Sequence, residues 1–226
     1  SFVNQNSACH KGRRFIFCHD CGGLNMAQEN FIITIAREYG SGGRLIGKRL
    51  ADKLGVAFYD KEIITLAAEN SGLSEDFLKE HDQNKRRLNF LSNVFINSKS
   101  LPLSEQVYLA QCQVIREVAA KSSCVIVGRC ADHVLANKPR CIKTFIHAPK
   151  EEKIQRITKY YKEVFDDPAA YAAKIDKERA AHYNYFTLGH WGDVRNYNLT
   201  VDSSCGVDAA VEVICLYAER FLAEHE

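Results

Sequence analysis

Short, nearly all-apolar runs alternate along this chain with longer stretches in which apolar residues return every three or four positions. The first run, Phe31-Ile32-Ile33-Thr34-Ile35-Ala36, is rich in β-branched residues and suits a strand buried on both faces of a parallel sheet. After Gly40-Ser41-Gly42-Gly43 a helical period begins, with Leu45, Ile46, Leu50 and Leu54 on one face and Lys48, Arg49, Asp52 and Lys53 elsewhere. Gly55 supplies the stop. Val56-Ala57-Phe58-Tyr59 predicts a second strand ending at Asp60. Residues 61–100 are helical in composition, with a turn signal at Ser71-Gly72 and a very polar piece from His81 to Arg87, and read as an inserted, mobile substrate-side subdomain. Ser104 to Ser122 predicts another helix, and Cys124-Val125-Ile126-Val127 a third strand ending in Gly128-Arg129. Ile142 to His147 predicts a fourth strand, with Pro149 fitting the first turn of the next helix. Residues 150–185 read as two helices broken at Asp166-Asp167-Pro168. Leu199-Thr200-Val201-Asp202 predicts a fifth strand, and a last helix spans Val207 to Leu222. This alternation predicts an α/β fold, one parallel sheet covered by helices on both faces.

Composition narrows the picture. Hydrophobic residues make up 46% and charged residues 26% of the 226, as in ordinary globular proteins. A net charge of +2 gives no global field to draw the chain to nucleic acid or to a membrane, so an anion site must come from locally placed charge. No run approaches the roughly 18 apolar residues of a membrane span. Phe15-Ile16-Phe17-Cys18, followed by His19-Asp20, is too short for a secretory core. The expected location is therefore the cytoplasm, with the nine cysteines as free thiols. Met26, the sole methionine, stands just before the first strand; translation is expected to begin there, with residues 1–25 an upstream extension and 1–29 outside the folded domain of 30–226. Cys9-His10 and Cys18-His19-Asp20-Cys21 could supply four zinc ligands, but the second pair lacks the usual spacing. The segment reads as a disordered tail, and no metal ligand is assigned.

The glycine-rich turn carries the clearest chemistry. A helix N-terminus presents unpaired backbone N–H groups and the positive end of its dipole. Glycines ahead of it let the backbone curl around an anion. Gly40, Ser41, Gly42 and Gly43 after a buried strand therefore suit a phosphate. Arg44 in the first turn opposes the dipole, a conflict that an anionic ligand removes, and Arg37 at the strand end can reach the same place. The plain alternative is a glycine turn with two solvated arginines. The full phosphate-loop signature, Gly-x-x-x-x-Gly-Lys-Ser/Thr, would put its lysine at Gly43 and its hydroxyl at Arg44. Lys48 lies a helical turn too far on; Arg44 or Arg37 could supply the charge, and Ser41 is the one candidate for a magnesium contact.

These residues carry a resemblance. The stretch from Ile33 to Arg44, together with Phe58-Tyr59-Asp60-Lys61-Glu62-Ile63-Ile64 and Val125-Ile126-Val127-Gly128-Arg129-Cys130-Ala131, resembles the cytidylate kinase-like family from about Phe31 to the C-terminus. The resemblance implies a P-loop NTPase-like three-layer fold with a five-stranded parallel core, a helical monophosphate-binding insertion and a helical lid. It also implies phosphoryl transfer from ATP, with magnesium, to CMP or dCMP. On it, Gly40 and Gly42 match phosphate-loop glycines, Asp60 the aspartate near the acceptor nucleotide, and Gly128-Arg129 a pair whose arginine contacts the acceptor. Lid arginines would come from the Arg156 to Arg179 stretch. The chain departs from the pattern with Gly43 for the lysine, Arg44 for the hydroxyl residue and Arg37 for the first glycine. Cys130 also replaces an aspartate, and Leu66 an acceptor-binding arginine.

Other residues fill in the reading. Asp60 and Arg129 fall at the C-terminal ends of predicted parallel strands, the edge where open α/β sheets bind ligands; an arginine grips phosphate bidentately, while Asp60 could equally cap the next helix. Lys153, Arg156, Lys159, Lys174, Lys177 and Arg179 surround the Asp166-Asp167-Pro168 break, where a lid would present cations, and Arg179 is the first choice among them. Tyr183-Asn184-Tyr185-Phe186 and Trp191 read as packing anchors rather than a base stack. His147, His182 and His190 lack metal-site or triad spacing, and no cysteine stands in a nucleophile's context. The expected ligand is a nucleotide or other phosphate-bearing small molecule. Arg44, Arg37 and Arg179 are the catalytic candidates, residues 40–44 the nucleotide contacts, and Asp60 and Arg129 the acceptor contacts. Two activities fit: an ATP-dependent phosphotransferase of the nucleoside monophosphate kinase type, acting on a (deoxy)cytidylate-like or other small acceptor, or a nucleotide-binding regulatory or assembly protein without turnover.

Overall fold

The β-branched runs become strands because their stiff side chains pack well on a pleated surface that is covered on both sides. The computed structural model of the chain describes residues 30–71, 102–160 and 165–224. The expectations for residues 1–29, zinc ligands included, and for residues 72–100 of the insertion lie outside these. The described elements are β1 (Ile32–Arg37), α1 (Gly43–Leu54), β2 (Ala57–Tyr59), α2 (Glu62–Ser71), α3 (Leu103–Lys121), β3 (Cys124–Val127), α4 (Ala131–Val134), β4 (Cys141–His147), α5 (Lys150–Lys159), α6 (Pro168–Thr187), β5 (Leu199–Asp202) and α7 (Val207–Glu224).

All five strands run parallel in the order β2-β3-β1-β4-β5. Neighbouring residues of β1 serve opposite faces. Ile32 joins Ile63, Val114, Ile115 and Val118 under α2 and α3, while Ile33 and Ile35 join Ile46, Leu50, Ile214 and Leu222 under α1 and α7. Each such buried side chain contributes about 1.5–3 kcal/mol of transfer free energy. The order places β1 at the centre, so the C-terminal ends of β2, β3 and β1 lie side by side along one edge.

Local signals explain the boundaries. Gly55 ends α1 in the left-handed conformation (φ 66°), its N–H donating to the Ala51 carbonyl. The Asp167 carboxylate caps α6, accepting from the amides of Ala169 and Ala170 at 3.0 and 2.9 Å, with Pro168 as the first helical residue. The short helix α4 was not expected from the sequence. It follows three successive left-handed residues, Gly128, Arg129 and Cys130 (φ 75°, 60° and 53°), of which the last two hold a conformation that costs a non-glycine residue about 1–2 kcal/mol.

Of the aromatic residues near the end of α6, Tyr183, Phe186 and the nearby Trp191 pack, while Tyr185 is half exposed. The Tyr183 hydroxyl donates to the buried Asp132 at 2.8 Å, Phe186 stacks on Tyr108 with centroids 4.1 Å apart, and Trp191 meets the edge of Phe145 at 5.3 Å. Among the described residues the six cysteines are unpaired, and no helix is long and apolar enough to cross a membrane.

Candidate functional site

Between β1 and α1 the chain turns through Glu38 to Gly42, and each residue up to Ser41 is tied down. The Glu38 N–H donates to the Ile146 carbonyl at 3.0 Å, and its carboxylate accepts from Lys153 Nζ at 3.0 Å and the Ala148 amide at 3.3 Å. The Tyr39 amide donates to Asp176 Oδ1 at 2.6 Å, and the Ser41 hydroxyl to the Glu38 carbonyl at 2.8 Å. Gly40 and Gly42 take φ of 78° and 80°, the left-handed region in which a side chain is strained. Gly42 is the N-cap of α1 and makes no side-chain capping bond; the first turn of the helix holds no acidic residue. The positive end of the dipole is thus met by no carboxylate of its own helix.

Gly43 is required for a different reason. A Cβ there would stand 2.6 Å from Arg37 Cβ and 2.9 Å from Arg37 Cγ. The stem of Arg37 therefore lies across the place from which the missing lysine would have grown. Its guanidinium runs on past Gly128 to Asp60, with Nη2 3.8 Å from Oδ1. Arg44, from the first turn of α1, reaches the same carboxylate, its Nε donating to Oδ2 at 2.6 Å. The bare amide cradle expected from the glycines is shared with a side chain.

Asp60 is buried at the end of β2. Its carboxylate is taken up by the two arginines, while its own N–H donates to Glu62 Oε2 at 2.9 Å at the start of α2. Arg129 at the end of β3 completes the group. Burial, and then the neighbouring Arg37 cation, pull its guanidinium down to about 10, with Asp60 acting the other way. It still carries its charge at neutral pH. Two guanidinium groups thus pair with one buried carboxylate and a third lies close enough to feel its charge, so cations outnumber the Asp60 carboxylate at the ends of three adjacent strands.

Arg179 of α6 takes the outer side of the turn. Its Nη1 donates to the Arg37 carbonyl at 3.0 Å and its guanidinium lies over the Tyr39 ring, 5.5 Å from the centroid. Lys153 is paired with Glu38 and Asp176, while Lys159, Lys174 and Lys177 are exposed. Arg156, expected among the lid cations, is instead buried beneath the turn. Leu66 packs against the apolar cluster on the α2 side. Sequence reasoning missed Asp176 and Ser203, which hold the turn from distant parts of the chain; neither stands in a motif.

Magnesium, which the resemblance implies, does not fit the donors found here. Ser41 is fully buried, the Asp60 carboxylate is paired with two arginines, and Arg44 stands where a hydroxyl ligand would be. Magnesium in such sites rests on one or two carboxylates together with substrate phosphates and water, and the Asp60 carboxylate is already ion-paired. Among the described residues no group of three metal-binding side chains occurs. No step is assigned to a protein-held metal.

His182 of α6 lies close enough to Arg129 to feel its charge. Burial first, then Arg129, lower it from 6.5 to about 4, so it is neutral at pH 7. A depressed folded value means that the unfolded chain takes up the proton first. The stability concerned is present above about pH 6.5 and is lost as pH falls toward 4. Acidification from pH 7 to 4 is expected to destabilise the wild type more than His182→Gln, by up to about 3 kcal/mol in urea melts at matched pH. Parallel stability curves for the two would place the titration elsewhere.

The parallel sheet, its two helical layers and the glycine turn at the mouth of α1 define the class: this is the α/β fold of the P-loop kinases. Gluconokinase from Sinorhizobium meliloti 1021 matches it with a TM-score of 0.52 over 88% of this chain and 99% of that one, at 15% identity. Shikimate kinase from Bacteroides thetaiotaomicron gives 0.52 over 84% and 98%, at 13% identity. An uncharacterized protein from Eubacterium ventriosum ATCC 27560 gives 0.64 over 84% and 99%, at 27% identity. No curated protein matches. The model of the cytidylate kinase-like family matches residues 32–205, and the chain belongs to that family.

Proposed function

We propose that the protein is a phosphotransferase of the nucleoside monophosphate kinase type, moving a phosphoryl group from ATP to a (deoxy)cytidylate-like or other small acceptor. The observation that carries this reading is the pairing of Arg37 and Arg44 with Asp60, with Arg129 close by, beside the uncapped start of α1. The donor's phosphates lie along residues 40–44, with Arg37 and Arg44 in the office of the missing lysine. The acceptor lies beside Asp60 and Arg129, on the side of the 61–100 insertion. An acceptor oxygen attacks the γ-phosphorus as the bond to the β–γ bridging oxygen breaks, and ADP leaves. A phosphate oxygen as nucleophile has no proton to lose, so no general base is needed. The chain's contribution is alignment of the two substrates and neutralisation of charge on the transferring group. Arg179 steadies the turn from outside and takes part in closing the site.

A coupled assay with ATP and the common nucleoside monophosphates tests this. Arg44→Ala is expected to lower kcat/KM about 100-fold, as the loss of one charge-neutralising group does. Lys48→Ala, whose amine is paired with Asp52, is expected to stay within about twofold, the scale of an exposed i,i+4 pair. Equal effects of the two overturn the assignment. The poor fit of magnesium favours one rival reading, a nucleotide-binding regulatory protein without turnover; calorimetric binding of ATP with no transfer to any acceptor would establish it.

A further inference from the structure

Beneath the turn lies a cation that the reaction scheme does not use. Arg156 of α5 is 8% exposed. Its Nη1 donates to the Gly40 carbonyl at 2.8 Å and to Ser203 Oγ at 3.5 Å, and its Nη2 to the Ser203 carbonyl at 3.4 Å. Ser203, fully buried after β5, donates its own hydroxyl to the Ser41 carbonyl at 2.6 Å, with the His147 carbonyl 3.2 Å away. Every partner of this guanidinium is a neutral oxygen; among the described residues no carboxylate pairs with it. A buried charge without a counter-ion is costly and persists where something else draws on it.

Two consequences follow from the geometry. The carbonyls of Gly40 and Ser41 are fixed by hydrogen bonds to Arg156 and Ser203, so neither is left to turn toward an anion. The cation itself lies directly under the N-cap: a Cβ at Gly42 would be 3.3–3.6 Å from its Cδ, Nε and Cζ atoms. We infer that Arg156, with Ser203, is a positioning residue for phosphate: it presets the turn and adds a fixed, buried positive charge behind it, without touching the ligand. An oxyanion on the turn supplies the missing counter-charge. The inference rests on the proposed phosphate seat at residues 40–44.

Calorimetry with ATP, inorganic tripolyphosphate and adenosine tests it, alongside melting curves for each variant. Arg156→Gln is expected to weaken ATP and tripolyphosphate at least tenfold and to leave adenosine unchanged; Arg156→Lys, which restores the charge, is expected to recover most of that loss. A general structural defect would weaken adenosine equally and would not be rescued by charge. Ser203→Ala, which frees the Ser41 carbonyl while leaving Arg156 in place, is expected to weaken tripolyphosphate several-fold, and it carries the test if Arg156→Gln does not fold. Wild-type affinity for tripolyphosphate in folded Arg156→Gln, or in Ser203→Ala, overturns the role of the pair while the seat stands. Wild-type protein that binds neither ATP nor tripolyphosphate removes the seat, and the inference with it.

Discussion

Gly43→Lys, which writes the standard phosphate-loop lysine into the turn, is expected to weaken ATP binding at least tenfold and to lower the melting temperature. The new Cβ would fall 2.6 Å from Arg37 Cβ, on a strand end fixed by its pairing with β4. Neither backbone can yield cheaply, and overpacking of this kind costs about 1–3 kcal/mol. The strand end and the turn must shift together, and the Arg37 guanidinium is drawn off Asp60. The companion variant decides the matter. Arg37→Gly combined with Gly43→Lys restores both the first glycine and the lysine of the signature, and it is expected to regain most of the lost affinity and stability. The coupling between the two changes should be large and favourable, as for any pair in direct contact. If Gly43→Lys alone binds ATP more tightly at unchanged stability, Arg37 does not occupy the lysine's place.

Asp60→Asn is expected to split binding from turnover. The carboxylate sets the directions of Arg37 and Arg44 and offsets one of the three charges around it. Removing a negative charge at a distance of several ångströms from the phosphates is worth about 1–3 kcal/mol at an effective dielectric constant of about 20. ATP should therefore bind about tenfold more tightly. The arginines lose their orientation, however, and kcat is expected to fall at least 100-fold. Stability should drop by about 2 kcal/mol; the Arg44 side chain, 60% exposed, can return to water and limits the cost. Weaker ATP binding with unchanged kcat would make Asp60 a simple scaffold residue.

These results bear on how far the chain could be read. The five strands, the breaks at Gly55 and Asp167-Pro168, and the turn at residues 40–44 depend on local preferences, so each was legible where it stands. Asp60 and Arg129 were legible as residues at the C-terminal ends of strands because each closes a short apolar run. Arg37 and Gly43 were each visible as a departure from the phosphate-loop pattern. That the two are one feature, a side chain occupying the space of another, needed the 2.6 Å approach between them. The left-handed pair at Arg129 and Cys130 left no trace, because neither residue type favours that conformation; the surrounding packing imposes it.

Every element but α4, the parallel arrangement and the family could be read from the chain alone, because hydrophobic period, glycine placement and capping act over a few residues. The strand order, the meeting of Arg37 and Arg44 at Asp60, and the place of Arg156 against the turn rather than in a lid came only with the folded chain. Arg156 and Ser203 lie more than a hundred residues from the carbonyls they hold, and hydrogen bonds across that separation exist only once the sheet has brought β1, α5 and the end of β5 together.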